Sequence, residues 1–239
     1  MKRLLICFCL TSIADSSFSQ QTVNVDKDAN NGNRAVDLFY TVAGSPFVKA
    51  KFARLVDGTP FFKEEMMRGA IILSEGKEYK NLMVRLNLLD VQVNYLDEKQ
   101  IELVATSPIK EVVLWDTMNN KDYRFVNSEY ISSTIKPEKG FYELLQAGKA
   151  ELYKQYKKKM TENRPYGSAT IEQSISTYLS HFILLDGQWT KVKKLKDLPE
   201  MLADKKKEVS QFISDKKISG DSEENYISVV AYYNSLFIK

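Results

Sequence analysis

The strongest hairpin signal in this chain is ISTYLSHFILLDGQWTKV, residues 175–192. Two runs rich in β-branched and aromatic residues flank the dipeptide Asp186–Gly187. An Asp-Gly pair readily takes the positive φ angles of a two-residue type I′ turn, and the residues on either side favour strands. Residues 175–185 and 188–192 are therefore predicted to be antiparallel strands joined by a tight turn.

Similar apolar runs, bounded by turn residues, recur between residues 36 and 193. Val48–Phe52 alternates as a half-buried strand does, and Gly76 can supply the positive φ of a tight hairpin. Strands are further predicted at 70–73, 77–79, 83–86, 91–95, 101–104, 112–115, 123–126, 141–145 and 150–154. The spacing is typical of antiparallel strands joined by hairpins, with a possible seam near residues 131–140 and an exposed loop at residues 161–170.

The apolar period changes from two to about 3.6 near the C-terminus. Asp197 with Glu200, and Asp221 with Glu224, have the spacing of capping boxes, so two or three helices are expected in residues 194–239. We therefore predict a mainly β protein of the α+β class. Its antiparallel sheets, or a half-open barrel, would carry the C-terminal helices across an edge or mouth.

The N-terminus has the organisation of an export signal. A basic start precedes an apolar run that is too short to span a bilayer, and Ser17–Ser19 has the small-x-small pattern of a cleavage site. We expect residues 1–19 to be removed, the mature chain to begin at Gln20, and the protein to be periplasmic or secreted. Residues 20–35 are polar without an apolar period and are predicted to form a mobile tail.

Cleavage at this site would remove Cys7 and Cys9 and leave one histidine, His181. A disulfide framework is then excluded, and a tetrahedral zinc site would lack its usual ligands. A hydrolase would need His181 as the base for a serine nucleophile, but the sequence has no Gly-x-Ser-x-Gly motif. We predict no metal site, no cofactor and no catalytic residue, and we expect His181 to be structural.

The mature chain is close to neutral in charge. Removal of Lys2, Arg3 and Asp15 leaves 32 basic against 30 acidic residues. Nucleic-acid-binding domains usually carry a strongly basic face, so a nucleic-acid partner is not expected. No later stretch reaches the roughly 18 apolar residues of a membrane-spanning helix, and no transmembrane span is predicted.

Local runs of like charge are predicted to be solvated rather than functional. Lys154–Lys159 is predicted to be the solvent-exposed end of a strand, and Lys205–Lys207 the solvent-exposed face of a helix. The alternative is that these lysines contact anionic lipid headgroups or acidic glycans. Glu64–Glu65, Asp97–Glu98 and Glu223–Glu224 are adjacent acids, which is not the facing geometry that a glycosidase needs. Asp97–Glu98 fits a turn and Glu223–Glu224 the start of a helix.

One loop combines more large apolar residues than a turn usually carries. Phe61 and Phe62 follow the turn residues Gly58–Pro60, and Met66 and Met67 come next. Two aromatic and two adaptable thioether side chains near a loop can form the rim of a ligand site or a partner patch. The alternative is that both phenylalanines fold back and seal one end of a sheet.

Several segments of the chain have counterparts in a known group of proteins. They are Asp57–Phe62, Gly69, the hairpin Gly76–Asn81, Leu86–Leu88 and Tyr232–Asn234. In these segments the chain resembles a group of uncharacterised exported bacterial proteins that have a leader, a β meander and a helical tail ending near Tyr-Tyr-Asn. The resemblance implies this architecture for most of the mature chain. It carries no known activity and assigns no functional residue.

Three functions are compatible with these observations. The first is a non-enzymatic binding or interaction module of the cell envelope, with an envelope protein or an apolar molecule as its unidentified partner. The second is a carrier that holds a lipid or another apolar ligand between sheet and helices, in a cavity that would run from Phe61, Phe62, Met66 and Met67 toward the helices. The third is a hydrolase that uses two carboxylates.

Overall fold

The computed structural model describes residues 44–46, 53–167 and 170–238. The predicted export signal, the predicted tail and the alternating stretch Val48–Phe52 lie outside the described residues. Within the described part, twelve strands form one sheet that is antiparallel except for a single parallel pair. The predicted mainly β class with C-terminal helices is confirmed.

The twelve strands are numbered β1 to β12 in chain order. They are Gly44–Pro46, Ala53–Asp57, Met67–Leu73, Glu78–Asn87, Gln92–Leu96, Glu102–Ala105, Ile109–Asp116, Lys121–Asn127, Phe141–Gln146, Ala150–Asn163, Ile171–Leu185 and Gln188–Val192. Their order across the sheet is β1-β6-β5-β4-β3-β7-β8-β9-β10-β11-β12, and β2 lies parallel to β11. Most neighbours in space are thus neighbours in sequence, as hairpin connections require.

The hairpin predicted from residues 175–192 is confirmed. Asp186 and Gly187 have φ angles of 48° and 78°, and Leu185 pairs with Gln188 across the turn. Two consecutive positive φ angles are the requirement of a type I′ turn, whose twist matches that of the flanking strands. Gly76, with a φ of 88°, lies in the turn between β3 and β4, as expected.

The loop predicted at residues 161–170 is shorter than expected. Strands β10 and β11 stay paired as far as Asn163 and Glu172, so residues 161–163 belong to a strand. Side chains bridge the two strands there: Gln173 donates to Glu162 at 2.8 Å, and the Thr161 hydroxyl donates to the Ser174 carbonyl oxygen at 3.3 Å. These cross-strand contacts extend the strand pairing into a polar segment. The hydrophobic periodicity of the sequence alone predicts a loop for that segment.

Three α-helices follow the sheet, as predicted. They are α1 (Leu198–Met201), α2 (Lys206–Asp215) and α3 (Glu223–Ser235), with 3-10 turns at Leu195–Asp197 and Ala203–Lys205.

Both predicted capping boxes are wrong. Asp197 already has helical angles at the end of the first 3-10 turn and makes no side-chain cap bond. The Asp221 carboxylate accepts a hydrogen bond from the Leu195 amide at 2.7 Å instead, and Ser222 caps α3 by accepting from the Asn225 amide. This bond joins the first 3-10 turn of the helical segment to the turn before α3.

The sheet has two differently covered faces. On the face that the helices cover, called the helix face here, one hydrophobic cluster joins strands β3 to β9 and a second joins β10 to β12 with α1, α2 and α3. Opposite them, on the outer face, Tyr142 and Tyr153 pack with Trp189 in a third cluster. The segment 131–140, predicted as a possible seam, links the paired strands β8 and β9, so the sheet is continuous across it.

Candidate functional site

The two phenylalanines of the predicted patch are packed into the protein. The Phe62 ring meets Tyr123, Phe125 and Tyr156 edge-on, with centroid separations of 4.8, 4.8 and 5.1 Å. Phe61 is buried under the Arg85 guanidinium, which lies 3.8 Å from its ring centroid. Phe61 and Phe62 therefore contribute to packing within the protein and offer little exposed ring surface.

The two methionines that follow line a cleft on the outer face. It has a volume of about 490 Å³ and is open to solvent. Its apolar lining comes from Met66, Met67, Met83, Met118 and Trp115, and its polar lining from Glu65, Arg68, Asp116 and Thr117. We call it the methionine cleft, because four of the seven methionines of the chain surround it.

Strand register explains how three chain segments meet at the methionine cleft. Met83 on β4 pairs with Arg68 on β3, and Arg68 pairs with Trp115 on β7, so the three residues form one cross-strand row. Arg68 is exposed while its neighbour Met67 is buried, so the row lies on the outer face. Met66 immediately precedes β3 and lines the same cleft. Met118 follows in the next turn and is 94% exposed.

The turn that carries Met118 is fixed by its own hydrogen bonds. The Asp116 carboxylate accepts from the Asn119 backbone amide at 3.0 Å and from the Asn119 side chain at 2.8 Å. These bonds hold the pKa of Asp116 below its usual value, and the bond from the Asn119 side chain has the largest effect. A charged carboxylate therefore stays at the rim of the cleft, while the Met118 side chain extends into solvent beside it.

The chemistry of the methionine cleft suits binding. Thioether side chains are unbranched, polarizable and adaptable, and an indole ring offers a large contact surface. Arg68, Glu65 and Asp116 add charge around this surface. The cleft thus combines adaptable apolar side chains with a few charged ones. Sites of this composition bind a ligand by apolar contact and orient it by a small number of polar contacts.

His181 belongs to a different cluster, at the start of α3. Its Nε2 atom lies 3.0 Å from Oε2 of Glu223, and the Lys154 ammonium lies 2.6 Å from the same oxygen. The His181 ring also meets Tyr226 edge-on at 5.2 Å. His181 and Lys154 are paired on β11 and β10, so the cluster joins two strands to the helix. We call these three ion-paired residues the helix clamp.

The electrostatics of the helix clamp favour a structural role. The hydrogen bond from His181, together with the bond and charge of Lys154, lowers the pKa of Glu223 to about 2. A carboxylate with this pKa is ionised throughout the physiological range and is a poor proton donor. The Lys154 ammonium and the Glu223 carboxylate, both partly buried, are each other's partner, and the His181 ring binds the same carboxylate oxygen.

A second buried carboxylate lies where the two hydrophobic clusters of the helix face meet. Glu143 is buried, accepts a hydrogen bond from the Tyr156 hydroxyl at 2.6 Å and lies 3.5 Å from the Lys121 ammonium. Burial, and then the negative charge of Glu143, raise the pKa of Tyr156. Sequence reasoning missed this residue, although Glu143 occupies an inward position of an alternating run between Phe141 and Leu145.

The run Lys154–Lys159 is not uniformly solvated, which corrects the expectation for it. The Lys154 side chain is only 12% exposed because α3 covers this end of the strand, whereas Lys157 is exposed and pairs with Glu138 at 2.7 Å.

The turn predicted at Asp97 is confirmed, since the Asp97 carboxylate accepts hydrogen bonds from the backbone amides of Lys99 and Ile101.

The chain matches no known protein family, no curated protein and no solved structure. Among the residues that the structure describes, none of the helices is long and apolar enough to cross a bilayer. The same residues contain no group of three or more His, Cys, Asp or Glu side chains placed to hold a metal ion.

Proposed function

We propose that the protein is a non-enzymatic, exported binding module of the cell envelope, and that the methionine cleft is its binding surface. The observation that carries this proposal is the convergence of Met66, Met83, Met118 and Trp115, from three chain segments, around one open cavity. Large flexible apolar side chains on an outer sheet face usually mark a surface that contacts a ligand or partner. The predicted leader supports export.

The acids and bases of the chain support binding rather than catalysis. His181, Glu223 and Lys154 are engaged with one another in the helix clamp, and Glu143 is buried with Tyr156. A general acid needs a pKa near the working pH and an accessible substrate. Glu223 has the opposite property, because its pKa is lowered to about 2.

Export makes a direct prediction about the N-terminus of the native protein. We expect the N-terminal peptide of protein recovered from the producing cells, identified by mass spectrometry with N-terminal pyroglutamate allowed, to begin at Gln20, because a signal peptidase would cut after the small-x-small sequence Ser17–Ser19. Recovery of an intact Met1 from the envelope or the medium would contradict the proposed export route.

Binding at the methionine cleft predicts that one charged substitution there blocks capture of the ligand. The substitution Met118→Arg puts a long cationic side chain at the mouth of the cleft and costs little stability, because Met118 is 94% exposed. We expect it to reduce the ligand recovered from envelope extract about tenfold, as loss of a central contact usually does. Ligand would be quantified by native mass spectrometry of the immobilised full chain.

The matched control for this experiment is Ile135→Arg. Ile135 is 68% exposed and does not line the methionine cleft, so the same chemical change should leave capture intact. Equal capture by the Met118→Arg and wild-type proteins would overturn the assignment of the cleft. A carrier that holds its ligand between sheet and helices would give that result, and turnover of a test substrate would indicate an enzyme.

A further inference from the structure

We infer that the methionine cleft binds a soft monovalent cation of the Cu(I) and Ag(I) class through its thioether sulfurs. This inference rests on the proposed function, because it takes the cleft as the binding surface and names the ligand. The ligating residues would be Met66, Met83 and Met118, which the fold brings to the outer face from three separate segments.

The sheet register places Met66 near Met83, and the turn after β7 brings Met118 to the same cavity. Met67 pairs with Val84 and Arg68 pairs with Met83, so Met66, which immediately precedes β3, is the diagonal neighbour of Met83 when this register is continued by one residue. Diagonal neighbours in a sheet are separated by roughly 7–8 Å at Cα, a gap that two long side chains can close. Met118 lies in the turn after β7 and is free to move, because it is 94% exposed.

The donor set of the cleft selects the kind of metal. Thioethers are soft, neutral ligands that favour Cu(I), whereas Mg²⁺ and Ca²⁺ take oxygen ligands and Zn²⁺ takes cysteine and histidine. Thioether ligands need no deprotonation, unlike thiol and imidazole donors, whose metal affinity depends on pH. Three methionines thus offer soft ligands in a chain whose cysteines, Cys7 and Cys9, both lie in the predicted leader.

The surroundings of the sulfurs also favour a cation. Glu65 and Asp116 carry two negative charges at the cleft, and Arg68 carries one positive charge. The Trp115 indole borders the same cavity, and an indole face attracts a nearby cation. A bound ion would therefore change the fluorescence of Trp115.

The competing occupant of the methionine cleft is an apolar molecule. Leucine has nearly the volume of methionine but no sulfur, so a Met→Leu substitution preserves apolar contact and removes a ligand. Substitutions of this kind separate the two occupants. Met160 and Met201 do not line the cleft and provide the matched control positions.

The test is a titration of the full chain with Ag(I), which does not change oxidation state in air. All proteins carry Cys7→Ser and Cys9→Ser, so that no thiol competes, and Trp189→Phe, so that Trp115 is the only tryptophan. We expect one equivalent of Ag(I) to quench Trp115. Met66→Leu, Met83→Leu and Met118→Leu should each weaken binding about tenfold or more, because two thioethers then remain. Met160→Leu and Met201→Leu should bind as the parent does.

Two outcomes would overturn the inference: an unchanged Trp115 emission, or equal affinity of the parent and the three cleft Leu variants. Its failure is distinguishable from failure of the proposed function. A parent chain that captures a ligand from extract in a Met118→Arg-sensitive way, but does not bind Ag(I), overturns the cation alone. A chain that does neither overturns both.

Discussion

The substitution Glu223→Gln is expected to lower the free energy of unfolding by about 2–3 kcal/mol at pH 7. Glu223 is the shared partner of His181 and Lys154, whose side chains are only 16% and 12% exposed. Glutamine keeps the shape and removes the charge, so a partly buried Lys154 loses its counter-ion. We expect a smaller loss in the free energy of unfolding than for a fully buried ion pair, because one fifth of the Glu223 side chain is exposed. Urea denaturation of the full chain measures the loss.

The effect of this substitution should depend on pH in one direction. The pKa of Glu223 is about 2 in the folded protein and 4.5 for an ordinary glutamate. The stabilisation is therefore complete above about pH 5, and it is lost as the pH falls toward 2, because the unfolded chain takes up the proton first. The wild-type protein and the Glu223→Gln variant should converge in stability over this window.

The neighbouring substitution Glu224→Gln is the matched control for the helix clamp. Glu224 lies in the same first turn of α3 and is exposed, so it shares the favourable position at the helix N-terminus without the buried partners. We expect a loss of at most about 0.5 kcal/mol and no special pH window. Equal effects of the two substitutions would show that the helix N-terminus, and not the clamp, provides the stabilisation.

The substitution Asn234→Ala is expected to cost about 2–4 kcal/mol. The Asn234 side chain accepts from the Ala150 amide at 2.9 Å and donates to the Ala150 carbonyl oxygen at 2.9 Å, and all three groups are buried. Strand β9 pairs with β10 only from Leu152 onward. At Ala150 the side-chain amide of Asn234 therefore makes the hydrogen bonds that a neighbouring strand would otherwise make. Its removal leaves a buried donor and a buried acceptor unpaired.

The same helix supplies a control for this prediction. Asn225 donates to the carbonyl oxygens of Ser219 and Gly220 at the exposed start of α3, where water can replace it. Asn225→Ala should therefore cost less than about 1 kcal/mol in urea denaturation. If Asn234→Ala were no more destabilising than Asn225→Ala, the amide of Asn234 would not be a substitute for a strand partner.

Local signals in the sequence predicted most strands of β3 to β12 and several of the turns between them. Asp186–Gly187 and Gly76 predict hairpins because backbone conformation at a two-residue turn depends on those residues themselves. Pairings of residues far apart in sequence had no such signal. The parallel contact of β2 with β11, which brings Ala53 beside Ile171, follows from the tertiary fold and not from either segment.

The candidate site was predictable only in part for the same reason. Met66 and Met67 were recognisable because they are adjacent near a loop. Met83, Trp115 and Met118 were not, since their proximity depends on the register of β4, β3 and β7. One signal was available: Trp115 follows the inward-facing Leu114, so alternation places a large aromatic ring on the outer face.

The capping residues of the helices were mispredicted because more than one polar side chain near a helix start can accept a hydrogen bond from its free amides. Asp221 and Ser222 are adjacent, and either could cap α3 by spacing alone. The fold assigns Ser222 to the helix, because Asp221 is used by the Leu195 amide 26 residues away. A tertiary hydrogen bond thus decides a choice that local patterns leave open.

The most direct measurement of the role of the methionine cleft is NMR of the mature chain labelled with ¹³C at the methionine methyl groups. The methyl signals of Met66, Met83 and Met118 should shift when the protein meets its ligand from envelope extract, while those of Met160 and Met201 stay in place. Shifts confined to Met160 or Met201, or no shift on a ligand that demonstrably binds, would contradict the assignment of the cleft as the binding surface.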